Sequence, residues 1–478
     1  MAILVPSPPT THWLRGVPTE SNISARIPAP TVFLMSMNLR FLSFLSLTSL
    51  WLTITAAAEA SWPQFRGPDG NGHAAGAAPT KWSETENVTW KTELPGKGWS
   101  SPVVVDGQVW MTSAVEEIAT EEEAEAIMRA AGVEEKKFKQ LQAKKAVRLY
   151  ALCVDMKSGE LVHELELIRV PAPPPIHHFN SFASPTPVID GDHVICHFGT
   201  FGTFCLNRAD GSVVWQETLA IEHGVGPGSS PMVHGDLLVL ICDGTDVQYV
   251  AALDKNTGRQ VWKTPRPPMD APSGDQMKAY CTPIAITDDQ GREQLICMAS
   301  QWLVSLDPKT GKEIWRVEHG TGFSIVPRPV YGHGMVYVCT GYGKPQLWAV
   351  KVDGNGDVTD THVVWTEAKR IPAKPSPLLV GNDLYLTDDG GIVTCFDAIT
   401  GENRWSERIG GSHSASPVLA GGKIYFSNEQ GVVTLLEQSA AFQVAAENTI
   451  DGKIMASPAI VDGTLLLRSD TALYRIDD

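Results

Sequence analysis

From residue 100 onward the chain keeps one hydrophobic rhythm: short apolar runs broken by Gly, Asp or Asn turns, without sustained helical spacing. SPVVVDGQVWMTS, from Ser101, reads as strand, Gly turn and strand, and the phrase recurs. SPTPVIDGDHVICHF starts at Ser184, SSPMVHGDLLVLICDG at Ser229, CTPIAITDDQGREQLICMAS at Cys281 and RPVYGHGMVYVCTG at Arg328. SPLLVGNDLYLTDDGG follows at Ser376, SPVLAGGKIYFSNEQG at Ser416 and SPAIVDGTLLLRSD at Ser457. From Pro187 onward successive prolines of these eight copies lie 40 to 52 residues apart, the period of a four-stranded propeller blade.

A second phrase closes many of the units. ALDKNTGRQVW ends at Trp262, SLDPKTGKEIW at Trp315, CFDAITGENRW at Trp405, and a looser copy, CLNRADGSVVW, at Trp215. In D-x-x-T-G the Asp and Thr side chains can hold turn N–H groups while Gly takes positive φ, as a short hairpin loop needs. The terminal Trp has a large apolar face and one donor, suited to packing between blades. These four tryptophans are therefore read as structural, and the fold as an all-β, eight-bladed β-propeller. The last unit ends at TALYRIDD without its fourth strand, and ENVTWKTELPG near the start supplies one. Residues from Val88 to Leu94 are expected to complete the last blade and latch the ring, removing the open seam.

Residues 116–146 break the strand rhythm. Thr120 followed by Glu123 is a capping-box pattern and Gly132 can stop a first helix, so the segment predicts a helical hairpin inserted in blade one. Its acidic first half and basic second half suit either a solvated helix pair or a partner-binding knob.

Composition adds limits. The chain has 478 residues, 43% hydrophobic and 19% charged, which is globular composition. A formal charge of -16 argues against a nucleic-acid partner, because phosphate binding needs a basic stripe. Residues 37–60 carry Arg40, an apolar run from Phe41 to Ile54 and the Ala58-Glu59-Ala60 pattern of a signal-peptidase site. Export with cleavage after Ala60 is expected, to the periplasm or beyond, leaving a monomeric chain, 61–478, without a transmembrane anchor. Residues 1–36 read as a disordered or mis-assigned leader, with the start at Met35 or Met37. Most of the eight cysteines sit in apolar runs and read as buried free thiols. Cys196 and Cys205 flank a turn symmetrically, and a cross-strand disulfide between them is the alternative. No CxxC or HExxH signals zinc.

With both repeats in hand, the chain resembles the quinoprotein, or PQQ-like, β-propeller repeat family: A-L-D-x-x-T-G-x-x-x-W is similar to its tryptophan-docking motif. WPQFRGPDGNG, from Trp62, resembles the opening of exported planctomycete PQQ-like repeat proteins. The resemblance extends more distantly to PQQ-dependent alcohol dehydrogenases and to BamB-like propellers. The first implies pyrroloquinoline quinone (PQQ) held with calcium in the axial funnel, often beneath a disulfide of adjacent cysteines; this chain has no adjacent cysteines. The second implies a noncatalytic lipoprotein with Cys at the processing site, where this chain has Ser61.

In such a propeller the loops before the innermost strands, and those between the second and third strands, open on one face. The first set supplies His177, His178, Asn180, His223, Lys278, Arg328, Lys374 and His413. The second supplies Asp243, Asp246, Gln301, Tyr342, Asp388, Asp389 and Glu429. Their convergence is the default ligand-site hypothesis, for an unknown protein or small-molecule partner. For redox chemistry the resemblance would cast Asp243 or Asp388 as base and Lys278, Arg328 or Lys374 as cation beside the quinone. DGNGDVTD, from Asp353, resembles half an EF-hand loop, making Asp353, Asn355 and Asp357 weak calcium candidates, though Val358 stands at the loop's glycine position. The reading is a noncatalytic binding or scaffolding module of the cell envelope, with no cofactor assigned. A PQQ-dependent dehydrogenase oxidising an alcohol or sugar, with PQQ and calcium, is the alternative.

Overall fold

The computed structural model describes residues 61–320 and 322–478; the leader and signal segments fall outside the described residues. Eight four-stranded antiparallel meanders make the blades. Blade one holds Val103–Val105, Gln108–Ile118, Lys144–Asp155 and Leu161–Pro171; the innermost strands of blades two to eight start at Val188, Met232, Ile284, Val330, Leu378, Val418 and Ala459. Blade eight is completed from the other end of the chain: Val88–Glu93 lies antiparallel to Ala472–Ile476, with Thr92 opposite Leu473. The latch is thus where the missing strand placed it.

The S-P phrase turns out to join the blades. At the axial start of each blade a backbone N–H donates to the hydroxyl of the next. Ser101 donates to Thr186 (2.9 Å), Thr186 to Ser230 (2.9 Å) and Ser230 to Thr282 (3.1 Å). Arg328 donates to Ser376 (3.0 Å), Ser376 to Ser416 (3.0 Å), Ser416 to Ser457 (2.9 Å) and Ser457 back to Ser101 (3.1 Å). The ring is interrupted only at Arg328, which has no hydroxyl to offer blade four.

The Trp phrase locks blades at mid-radius. Asp254 Oδ1 accepts from the N–H groups of Asn256 and Thr257 and from the Thr257 hydroxyl, and Gly258 stands at φ +71°. Trp262 lies over Gly311 of the next blade's turn and donates to the Pro308 carbonyl at 2.9 Å. A Cβ on Gly311 would fall 2.6 Å from that ring, so only glycine fits. Trp215 treats Gly258 the same way and donates to Lys255 O, and Trp90 of the latch strand covers Gly159 and donates to Met156 O. Where the next turn lacks the motif the Trp is redirected. Trp315 donates to Gln294 Oε1 (2.7 Å) inside its own blade, and Trp405 packs edge-on against Phe442.

The free-thiol reading holds over its disulfide alternative, and the helical hairpin is revised. Cys196 faces Phe204 and Cys205 faces Ile195 across their hairpin, so the thiols point to opposite sides of the sheet into different core clusters, and no disulfide joins them. All eight thiols are free and buried. The insertion keeps its capping box but forms one helix, α1 (Glu121–Ala130), and a single 3-10 turn, Glu135–Lys137, because the alternating residues on either side prolong the blade-one strands instead. Gly356–Asp357 adds a short parallel strand to the rim of blade four.

The axis itself holds the N-terminal segment. Trp62 pairs antiparallel with Val104, while His73 pairs parallel with Leu419. Since all innermost strands run the same way, the segment climbs beside blade one, turns over residues 64–71 and descends beside blade seven. Arg66, fully buried, donates from Nη2 to the carbonyls of Asn71 and Pro377, both at 2.8 Å. Arg328 donates to Phe65 O (2.5 Å), Pro283 O (3.2 Å) and Gln64 Oε1 (3.4 Å). Burial pulls the two guanidinium groups down to about 9 and about 10. Gly70, at φ +73°, is required here, since a Cβ would lie 2.3 Å from Arg328 Nη1.

Candidate functional site

The loops before the innermost strands and those after the second strands meet at one end, as isolated bridges between Asp243 and Ala279 and between Phe323 and Tyr342 show. Most of the polar side chains expected there are spent on building these loops. Asp243 is buried and accepts bidentately from Arg266 (Nε–Oδ1 3.0 Å, Nη2–Oδ2 2.9 Å), whose remaining donors reach Cys297 O and Met298 O. Burial opposes the charge of Arg266, yet the Asp243 carboxylate holds its pKa above the ordinary value. Asp388 caps its own turn through the N–H groups of Gly390 and Ile392, and Asp389 accepts from Ala373 N and Lys374 N. Asp246 caps Glu222 N, Gln301 clamps Asp270 through both backbone groups, and Asn180 ties the loop at Val225 and Pro227.

The cations are likewise engaged. Lys278 pairs with Asp275 at 2.9 Å, and burial lowers its pKa. Arg328 grips the axial segment. Lys374 pairs with Glu429 at 3.0 Å, which also accepts from Ser414 Oγ at 2.7 Å. His413 is buried and meets Gly410 O at 3.0 Å. Two of the calcium candidates have other partners: Asp357 caps Thr359 and pairs with Arg316, while Asp353 faces His362. Among the described residues no group of three or more His, Cys, Asp or Glu side chains could hold a metal ion.

At the funnel mouth, between blades one, two, seven and eight, a cavity of about 380 Å³ stays open. Lys97 and Trp99 line it from the loop before blade one, His178 and Phe179 from that before blade two, and Lys453 and Met455 from that before blade eight; Glu429 and Asp470 complete it. The aromatic side is a ring cluster: His177 lies 4.6 Å from His178, whose ring is tilted by 37° against that of Phe179 at 4.4 Å. Phe179 is 57% exposed, although Trp99 Nε1 holds its carbonyl at 2.8 Å and the Lys374 ammonium lies 5.9 Å from its ring. Tyr342, on the far side, is 39% exposed, and burial of its hydroxyl raises its pKa. Of the expected residues, then, His178 and Glu429 reach this cavity. Lys97, Trp99, Phe179, Lys453, Met455 and Asp470 were missed, although all lie in the two loop sets that supplied the others.

Beneath the blade-two side, His197 is buried against Thr203 Oγ1 (Nδ1 at 2.8 Å), and His223 accepts from Thr200 N (3.0 Å). Burial lowers His197 to about 3, with His223 adding to it, and lowers His223 to about 4. The unfolded chain, with His near 6.5, binds protons that the native state refuses, so stability falls as pH drops from about 6.5 towards these values. Between pH 7 and 4.5, His197→Asn should lose about 2–3 kcal/mol less stability than the parent in paired urea titrations. Equal losses would remove His197 from the acid response.

An eight-bladed ring locked by Trp-on-Gly contacts, with a closed axis and an open mouth, defines a PQQ-like repeat β-propeller. The family model described as outer membrane protein assembly factor BamB matches residues 75–246, 147–407 and 246–478, and the chain belongs to that family. It is 26% identical over 213 residues to outer membrane protein assembly factor BamB of Alkalilimnicola ehrlichii, covering 44% of this chain and 49% of that protein. The chain thus spans about half the length of the curated relative it matches. BamB from Moraxella catarrhalis superposes with a TM-score of 0.50 at 16% identity, over 70% of this chain and 99% of that one. Quinohemoprotein alcohol dehydrogenase from Comamonas testosteroni does so with 0.57 at 12% identity, over 88% and 81%. Both likenesses are of fold.

Proposed function

We propose that the protein is an exported, noncatalytic propeller that docks a partner polypeptide at its funnel mouth on the cell-envelope side, after cleavage behind Ala60. The observation that carries this reading is the division of labour at the funnel end. The acids and cations that redox chemistry would use are consumed by the loops and by the axial segment, whereas an aromatic-walled cavity faces outward. Membership in a family named for an assembly factor supports it, and among the described residues no helix is long and apolar enough to cross a membrane.

The residues present do not fit PQQ with calcium. Its three carboxylates would need cations, and the three that the resemblance casts beside the quinone, Lys278, Arg328 and Lys374, are each engaged. Titrating the mature chain with PQQ and calcium, followed by visible absorbance, should give binding weaker than about 10 μM. Dye-linked oxidation of an alcohol panel should show no turnover. Submicromolar, calcium-dependent binding with turnover would overturn the docking reading in favour of a dehydrogenase. A photo-crosslinking residue at Phe179 should form polypeptide adducts in intact cells, and their absence would count against docking at this mouth.

A further inference from the structure

We infer that the funnel-mouth cavity is a subsite for an acidic–aromatic pair of a partner polypeptide, its carboxylate received between Lys97 and Lys453 and its ring on the Trp99–Phe179 wall. The inference rests on the docking reading above and names the chemistry of the partner at that site.

Lys97 and Lys453 differ from the other funnel-end lysines. Lys278 and Lys374 each have a carboxylate oxygen within 3.0 Å, but among the described residues neither Lys97 nor Lys453 has an ion-pair partner. Lys97 Nζ donates to a neutral carbonyl, Asn180 O, at 3.1 Å, and lies 4.9 Å from the Trp99 ring. Burial lowers its pKa, and the nearby ammonium groups of Lys144 and Lys453 add to this against the pull of Glu116 and Asp470. Of the acids beside them, Glu429 is held by Lys374 and Ser414, and one oxygen of Asp470, Oδ1, accepts from the backbone N–H of Lys453 at 2.8 Å. A half-buried ammonium next to a like charge gains most from an incoming anion, through charge-assisted hydrogen bonds in a partly desolvated site.

The apolar half of the cavity sets the rest of the ligand. Phe179, Trp99 and Met455 are its apolar lining, and a ring laid against the aromatic pair gains buried area and offset stacking, with a thioether also in the lining. A carboxylate alone leaves that wall wet, and an aromatic residue alone leaves the two ammonium groups unmatched. The chain as a whole carries -16, so an acidic partner is drawn to this mouth by the local lysines against the general field.

The test uses the mature chain and fluorescence anisotropy of labelled, end-blocked peptides with one central pair: Glu-Phe, Gln-Phe, Glu-Ala or Lys-Phe. Glu-Phe should bind at least about tenfold tighter than each of the others, which is about 1.4 kcal/mol per replaced group. Its affinity should fall as salt rises from about 0.05 to 0.5 M. Lys453→Gln, a change at an exposed position, and Lys97→Gln should each weaken Glu-Phe about tenfold while leaving Gln-Phe unchanged. Circular dichroism confirms that each variant is folded. Equal affinity for all peptides, indifference to both substitutions, or free PQQ binding this cavity more tightly than Glu-Phe overturns the inference. The crosslink at Phe179 separates the two failures. Adducts that persist in Lys97→Gln/Lys453→Gln without peptide discrimination leave docking standing and remove only the acidic–aromatic specification, whereas loss of all adducts from the unsubstituted chain removes docking itself.

Discussion

Replacing Asp243 with alanine is expected to cost about 3–5 kcal/mol of stability, the range for breaking a buried ion pair by removing one partner. The side chains of Arg266 and Asp243 are 2% and 0% exposed, so the guanidinium cannot turn to water when its carboxylate goes. The carbonyls of Cys297 and Met298 would remain, but they are neutral and already bonded. Urea unfolding measures the loss. The double variant Asp243→Ala/Arg266→Met should recover much of it, because an uncharged pair removes the stranded charge. A single variant within about 1 kcal/mol of the parent, well short of that range, would mean that water reaches Arg266.

Trp262→Ala should cost a similar amount, about 3–5 kcal/mol, by a different route. The ring, 8% exposed, fills the seam between blades three and four against Gly311, and its removal leaves a cavity that a glycine cannot fill. Trp262→Phe keeps most of the area and loses only the bond to Pro308 O, so about 1 kcal/mol is expected. If Trp262→Ala left the urea midpoint unchanged, the repeated Trp would need a role other than packing.

How much of this was legible beforehand depended on the range of the interactions. The D-x-x-T-G hairpin is a local code: Asp254, Thr257 and Gly258 satisfy one another within five residues, so the turn and its blade are readable from the string. The latch was readable because a missing strand leaves a countable gap. The axial segment was not. WPQFRGPDGNG has no periodicity, and its anchors are far off in sequence: Arg66 meets Pro377 at a separation of 311 residues and Arg328 meets Gly70 at 258. The Cys196–Cys205 symmetry left a disulfide open as the alternative, and the 3-10 turn at Gly199–Phe201 closes it by setting a register in which the two differ by one position, which reverses a side chain's face.

The candidate site shows a similar limit. The pattern located the loops but could not say which polar side chain would cap a turn and which would face outward. Asp388, Asp389, Asn180 and Gln301 became backbone partners because each lies beside N–H or carbonyl groups that a tight loop leaves unpaired. Lys97 and Lys453 remained outward because the acids beside them took other partners, Glu429 the Lys374 ammonium and Ser414 hydroxyl and Asp470 Oδ1 a backbone N–H.

The N-terminal segment has a consequence for the order of assembly. Residues 62–93 leave the ribosome before any blade exists, yet they fill the axis and supply the rim strand of the final blade. Their partners include Leu419 and Leu473, so this early-made segment must wait for one of the last to be made. Contacts of such span carry a large loop-closure cost until the ring is otherwise formed. Blades can therefore grow one after another during synthesis, but closure is a single late event, and loss of either Val88–Glu93 or Ala472–Ile476 opens the same seam.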